Sequence, residues 1–277
     1  MTCIFIMSAL LTSCGDIQQD LKLNKDGSGV LETSLEMGEL MGMARGLEDG
    51  GSFQDSFTDD IIIIDTVDSP GKKTKDEIEK LMDKITDPKH AVDFDTLISF
   101  SSIMPDSVKA KLTRPDLAEK LLIHLKSPAN SSEMTLGIVM RFDNSKQLKE
   151  IITEMDNLSK DSNIGKDSPI GLSTETFMMF EVDMKAGWIR VDTVAYTGFA
   201  EEFGMSTDSM PGEDLGMMEM MFGSTKVKSI IHVPGEVISC SDPEAILTKD
   251  NKVIIEHSMM DVIRSGKING YTIQFKP

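Results

Sequence analysis

Positive charge, aromatic rings and cysteine are all scarce in this chain. Its 277 residues hold 28 Lys and Arg against 46 Asp and Glu, a net charge of −18. Such a surface repels phosphate backbones and anionic headgroups, which disfavours nucleic-acid binding and membrane attachment through basic patches. Aromatics make up 5% of residues while methionines number 21, so the core is expected to be built from Met, Leu and Ile. With only Cys3, Cys14 and Cys240 present, stability must come from packing and not from a disulfide framework. No apolar run reaches the roughly 20 residues that span a bilayer, and no heptad or solenoid repeat is visible. The 40% hydrophobic content is nevertheless enough for one large domain or two small ones.

Catalytic patterns are equally sparse. There is no G-x-S-x-G elbow. Ser69-Pro70-Gly71-Lys72 matches S-x-x-K, but a proline inside the motif spoils the helical turn that would bring Ser69 and Lys72 together, and no Lys-Thr-Gly partner follows. His90, His124, His232 and His257 lack the spacing of H-E-x-x-H or of paired zinc histidines. His257 and Asp261 would meet as metal ligands only if a helix began between them. No catalytic residue, metal or cofactor is therefore expected.

What the chain does have begins at its start. Ile4 to Leu11 form a short apolar run, followed by Thr12-Ser13-Cys14 and then Gly15. A short apolar run ending in small residues is the pattern of a secretory signal, although no Lys or Arg precedes it here. The alternative is a buried N-terminal strand with an ordinary cysteine. Leu11-Thr12-Ser13-Cys14 resembles the lipobox of bacterial lipoproteins. The resemblance implies that residues 1–13 are removed and that Cys14 carries a thioether-linked lipid and an N-acyl chain. Cys240 would then be the one thiol left. Gly15 after the lipidated cysteine, where an aspartate would retain the protein in the inner membrane, implies the outer membrane and its periplasmic face. Several acyl chains together anchor firmly where one does so only marginally.

Alternating runs mark the strands. Ile17–Leu23 and Val30–Met37 flank Asn24-Lys25-Asp26-Gly27-Ser28-Gly29 as a hairpin. That turn also matches the first half of an EF-hand loop, but position twelve would be Leu35 where a bidentate Glu is needed. Further hairpins are expected from Lys120–Leu125 with Met134–Phe142, and from Thr176–Met184 with Trp188–Ala195. Lys226–Val233 and Glu236–Ser239 flank Pro234-Gly235, and strands Lys252–His257 and Lys267–Phe275 end the chain. Helices are expected over Gly38–Leu47, Thr74–Ile85 and, capped by Asp143-Asn144-Ser145, Lys146–Leu158, with Ile61–Ile64 a buried segment. The fold class this predicts is α+β: antiparallel β-hairpins forming one sheet system with interspersed helices, over residues 14–277, with a subdivision near 200–225.

The lipobox, the hairpin behind it, Asp65-Thr66 and Val233-Pro234-Gly235-Glu236-Val237 together resemble lipoproteins of flavobacterial type. The Pro-Gly strand and its following hairpin are also similar to the mycobacterial LppM-like lipoprotein domain. These likenesses imply an anchored α+β domain of lipid-handling type and bring no catalytic residues. The Asp-Ser/Thr-apolar triplets at Asp65, Asp95, Asp106, Asp192 and Asp208 look like envelope O-glycosylation acceptors of flavobacterial relatives.

One further run stands out, Met217-Met218-Glu219-Met220-Met221-Phe222. The plain reading is a short helix whose Met217, Met220, Met221 and Phe222 pack on a sheet. The same side chains suit a surface for an apolar ligand or an envelope partner, and the thioethers of Met217, Met218, Met220 and Met221 suit Cu(I). The expectation is thus a non-enzymatic, lipid-anchored envelope protein that binds an apolar ligand or a protein, with Cu(I) binding as the alternative.

Overall fold

The computed structural model describes residues 15–36, 94–104, 109–127, 134–161, 177–196, 216, 219 and 222–277. The expected helices over 38–47 and 74–85, the segment 61–64, Ser69, Lys72 and His90 lie outside the described residues. The class is α+β, and the strands fall into an eight-stranded, a four-stranded and a two-stranded sheet.

β1 (Ile17–Leu23) and β2 (Gly29–Glu36) form the expected antiparallel hairpin, pairing Ile17 with Leu35 and Leu23 with Gly29. Ile17, Gln19, Leu21 and Leu23 point into the core while Gln18, Asp20 and Lys22 point away, the period of two that a half-buried strand imposes. Gly27 adopts a φ of 86°, and the oxygens of the EF-hand-like pattern tie the turn itself. Ser28 donates to Asp26 Oδ1 from both its N–H (3.0 Å) and its hydroxyl (2.6 Å), which holds the Asp26 carboxyl below its ordinary range.

β3 (Phe94–Ser99) leads through α1 (Phe100–Ile103) and α2 (Pro115–Ala118) to β4 (Leu121–Ser127) and β5 (Thr135–Phe142). β4 and β5 are the second expected hairpin. α3 (Ser145–Asp161) then starts where its cap predicts: Gln147 N–H donates to Asn144 Oδ1 at 3.0 Å while Asp143 N–H donates back to Gln147 Oε1 at 2.7 Å. Its Leu148, Ile151 and Ile152 are buried in the main core.

β6 (Phe180–Asp183) and β7 (Trp188–Val191) make the third hairpin, turned by Asp183, whose Oδ1 accepts from the N–H groups of Lys185 and Ala186. After β8 (Val194–Ala195), β9 (Lys226–His232) and β10 (Glu236–Cys240) do not pair with each other across Pro234-Gly235. β9 joins the large sheet and β10 the small one, so the Pro-Gly corner moves the chain between sheets. β11 (Ile246–Leu247), β12 (Lys252–Ser258), α4 (Met259–Ser265), β13 (Lys267–Ile268) and β14 (Tyr271–Lys276) complete the chain.

The large sheet runs β11-β12-β9-β1-β2-β5-β4-β3, and the small one β10-β14-β7-β6. Among the described residues all pairs are antiparallel except β1 with β9, which is parallel. The core lies between one face of the large sheet, the small sheet and α3. A second apolar cluster of Ile17, Val194, Tyr196, Phe222, Val227 and residues of α4 gathers at the end of the large sheet where β1 begins. Between the two clusters the inward row changes character: Gln19 faces Thr33 on one side and Ser229 on the other, all three buried.

Gly235 gives the corner its tightness. A Cβ there would lie 1.6 Å from the Lys276 carbonyl oxygen, a backbone atom that cannot swing aside. Gly235→Ala is expected to destabilise the fold by about 1–3 kcal/mol, as overpacking does, read as a lower denaturation midpoint. An unchanged midpoint would mean that β14 shifts freely at its end.

Candidate functional site

The end of the large sheet where β1 starts is fastened by short-range contacts. Gly15 packs so closely on β2 that a Cβ would lie 1.3 Å from the Glu36 carbonyl oxygen. Glu36 N–H donates to the Asp16 carbonyl at 3.1 Å, and Lys226 N–H donates to Asp16 Oδ1 at 2.9 Å. Because β1 and β9 are parallel they start together here, and β2 and β12, antiparallel to them, finish here.

At this end the chain enters β9 through a tight turn. Gly223 N–H donates to the Glu219 carbonyl at 2.9 Å, Thr225 N–H to the Phe222 carbonyl at 3.1 Å, and Met259 N–H to the Thr225 carbonyl at 2.9 Å. A cavity of about 300 Å³ opens beside it, lined by Gly223, Ser224, Thr225, Lys226, Glu256, His257 and Ser258. That volume is at the small end of ligand pockets. Three hydroxyl residues and an ion pair border it. Lys226 Nζ donates to Glu256 Oε2 at 3.1 Å and Lys228 Nζ stands 3.4 Å from Glu256 Oε1. The bond from Lys226, outweighing burial, holds the Glu256 carboxyl below its ordinary range.

His257 links this cavity to the loop after β10. It shares the inward parity of Val253 and Ile255, and its ring faces Glu244 at 3.6 Å through Nδ1 and Asp242 at 4.0 Å through Nε2. The two carboxylates lie on opposite ring nitrogens, so they do not converge with the ring on one point. Among the described residues no group of three or more His, Cys, Asp and Glu is arranged to hold a metal. α4 does begin beside His257, but Asp261 turns to Arg264 at 3.7 Å. Burial pushes the Cys240 thiol up, away from the thiolate that nucleophilic attack or soft-metal ligation needs. Burial likewise pushes the Tyr271 hydroxyl up, against the pull of Ser229.

Of the residues singled out in the sequence, Cys14, Met217, Met218, Met220 and Met221 lie outside the described residues, as do Asp65, Asp106 and Asp208. Gly216, Glu219 and Phe222 are helical. Phe222 is 4% exposed and packs in the second apolar cluster, so its ring belongs to the core and not to a ligand or partner surface. Asp95 lies on β3 and Asp192 just after β7. No sequence motif marks the cavity lined by His257. Its parity within Val253-Ile254-Ile255-Glu256-His257 was the available signal, since every second residue turns inward. Comparisons with protein-family models, with curated proteins and with solved structures find no match for this chain.

Proposed function

We propose that the chain is a non-enzymatic lipoprotein, anchored through acyl chains on Cys14 in the outer membrane on its periplasmic face, that binds an apolar ligand or an envelope protein at its anchored end. The observation that carries this reading is the position of Gly15 and Asp16, fastened to β2 and β9 immediately after the lipobox cysteine. Two residues of extended chain reach about 7 Å. Lipid on Cys14 would therefore bring the start of β1 to the membrane surface, and with it the cavity, the second apolar cluster and the chain arriving from the methionine run. Anchoring through the acyl groups also accords with a net charge of −18, which offers anionic headgroups no attraction.

Cys14→Ala is expected to abolish both acyl labelling and membrane partitioning. A variant that stays labelled and in the membrane would sink the anchor. Native mass spectrometry of residues 15–277, secreted through a cleaved signal and isolated from the envelope, tests the ligand. A retained lipid mass supports the reading. Retained copper that is lost on replacing Met217, Met218, Met220 and Met221 would overturn it in favour of Cu(I) binding.

A further inference from the structure

His124 lies on the face of the large sheet that turns away from the main core, opposite Gly137 of β5 in register. Gly137 leaves a gap there: a Cβ would stand 3.2 Å from Ser34 Cβ and 3.4 Å from Glu32 Oε1. Through that gap Glu32 of β2 reaches over β5 and places Oε1 2.5 Å from His124 Nδ1. On the opposite side Asp95, on the border strand β3, places Oδ1 2.7 Å from His124 Nε2. An ionised carboxylate only accepts hydrogen bonds, and a neutral imidazole has a single N–H to give. Both contacts are satisfied together only by the imidazolium. Burial works against that charge, but the bonds to Glu32 and Asp95 outweigh it and push His124 up from its ordinary range.

We propose that His124 is a pH-operated latch on β3: the imidazolium ties Glu32, β4 and Asp95 together across four strands, and the neutral ring must release one carboxylate. The one released is Asp95. Its side chain is 62% exposed against 25% for Glu32, so water solvates it readily. Lys126, opposite Asp95 in register, is the replacement cation. Among the described residues, the groups facing His124 are Glu32 and Ser34 from β2, Asp95 and Leu97 from β3, and Lys126 along its own strand. Beyond Glu32, Asp20 lies opposite on β1, with Lys22 at 3.4 Å and His232 at 3.1 Å. Burial pushes His232 down, against the pull of Asp20, so of the two rings His124 is the one that carries the charge as pH rises. Since its folded value is raised, the tie contributes fully below the ordinary histidine value of 6.5 and is lost as pH climbs through the raised one. β3 is the last strand of the sheet order, held on one side by β4 alone among the described residues. Loosening it exposes a strand edge open to pairing.

The experiment is ¹⁵N NMR of the His124 ring from pH 6 to 9, alongside amide exchange of residues 94–99, corrected for the intrinsic pH dependence. At pH 6 both ring nitrogens should carry protons. Through the titration, protection of β3 should fall by about tenfold, the factor expected for one charge-assisted hydrogen bond, while β1 and β2 hold. Asp95→Asn, an exposed substitution, should lower the titration and remove the pH dependence of β3 protection. Gly137→Val, which wedges Glu32 away, should lower the titration from the other side. A neutral His124 ring at pH 6, or β3 protection that ignores the titration, would overturn the latch.

Discussion

Phe180→Ala is expected to cost about 3–5 kcal/mol of folding stability, as truncation of a buried aromatic does. Phe180 is fully buried, on the strand at the border of the small sheet, and meets Phe142 of the large sheet edge to face with ring centroids 5.7 Å apart. The pair spans the space between the two sheets within the main core. Removing the Phe180 ring loses its burial, the edge-to-face contact worth about 0.5–1.5 kcal/mol, and the packing of neighbours that cannot collapse into the void. Urea unfolding checks it, with Phe180→Leu expected to lose less than half as much and Ile238→Ala, 53% exposed, expected to stay within about 0.5 kcal/mol of the parent. A loss below about 1 kcal/mol for Phe180→Ala would mean that the sheets are held together elsewhere.

The parts of the fold legible in the sequence are those set by near neighbours. Alternation in Ile17–Leu23 and the Asp-Gly turn define β1 and β2, and the reciprocal bonds of Asn144 and Gln147 define the start of α3. Pairings between distant segments left no such trace. β1 and β9 lie side by side although Asp16 and Lys226 are 210 residues apart, and no local pattern in either strand names its partner. Pro234-Gly235, flanked by two strands, shows in the sequence only that the chain turns there. Its glycine is needed for a different reason, the close approach of the Lys276 carbonyl where the chain changes sheets.

Sites follow the same division. The face each strand residue takes was readable, so His257 inward and His124 outward follow from their neighbours. The company they keep was not. Asp242 and Glu244 reach His257 from a loop, and Glu32 reaches His124 from two strands away. Gly137 was the clue within the sequence: a glycine inside a strand marks close approach. What approaches it is a carboxylate from a strand that precedes it by about a hundred residues, which becomes visible only once β2 is laid beside β5.

Glu154→Ala should be the most damaging change to a charged residue, at about 2–3 kcal/mol, because it strips one carboxylate from several donors at once. Glu154 lies on α3 and is 8% exposed. It accepts from Thr113 N–H at 2.7 Å, Thr113 Oγ1–H at 2.5 Å and Arg114 N–H at 3.2 Å. Arg114 is the N-cap of α2 and makes no side-chain cap bond, and Glu154 of α3 instead ties down the two residues that lead into α2, Thr113 and Arg114. Burial works against the charge, but the bonds from Thr113 and Arg114 outweigh it and hold the carboxyl below its ordinary 4.5. A depressed carboxyl contributes stability that is present above the unfolded value and lost as pH falls through the folded one. The stability gap between parent and Glu154→Ala should accordingly be full at neutral pH and narrow steadily as pH drops below 4.5. Glu154→Gln, which keeps an acceptor oxygen and loses the charge, should fall between them at neutral pH. Denaturation of all three proteins at pH 7 and pH 3 decides it: a gap of equal size at both would mean that Glu154 acts through its packing and not as a charged acceptor.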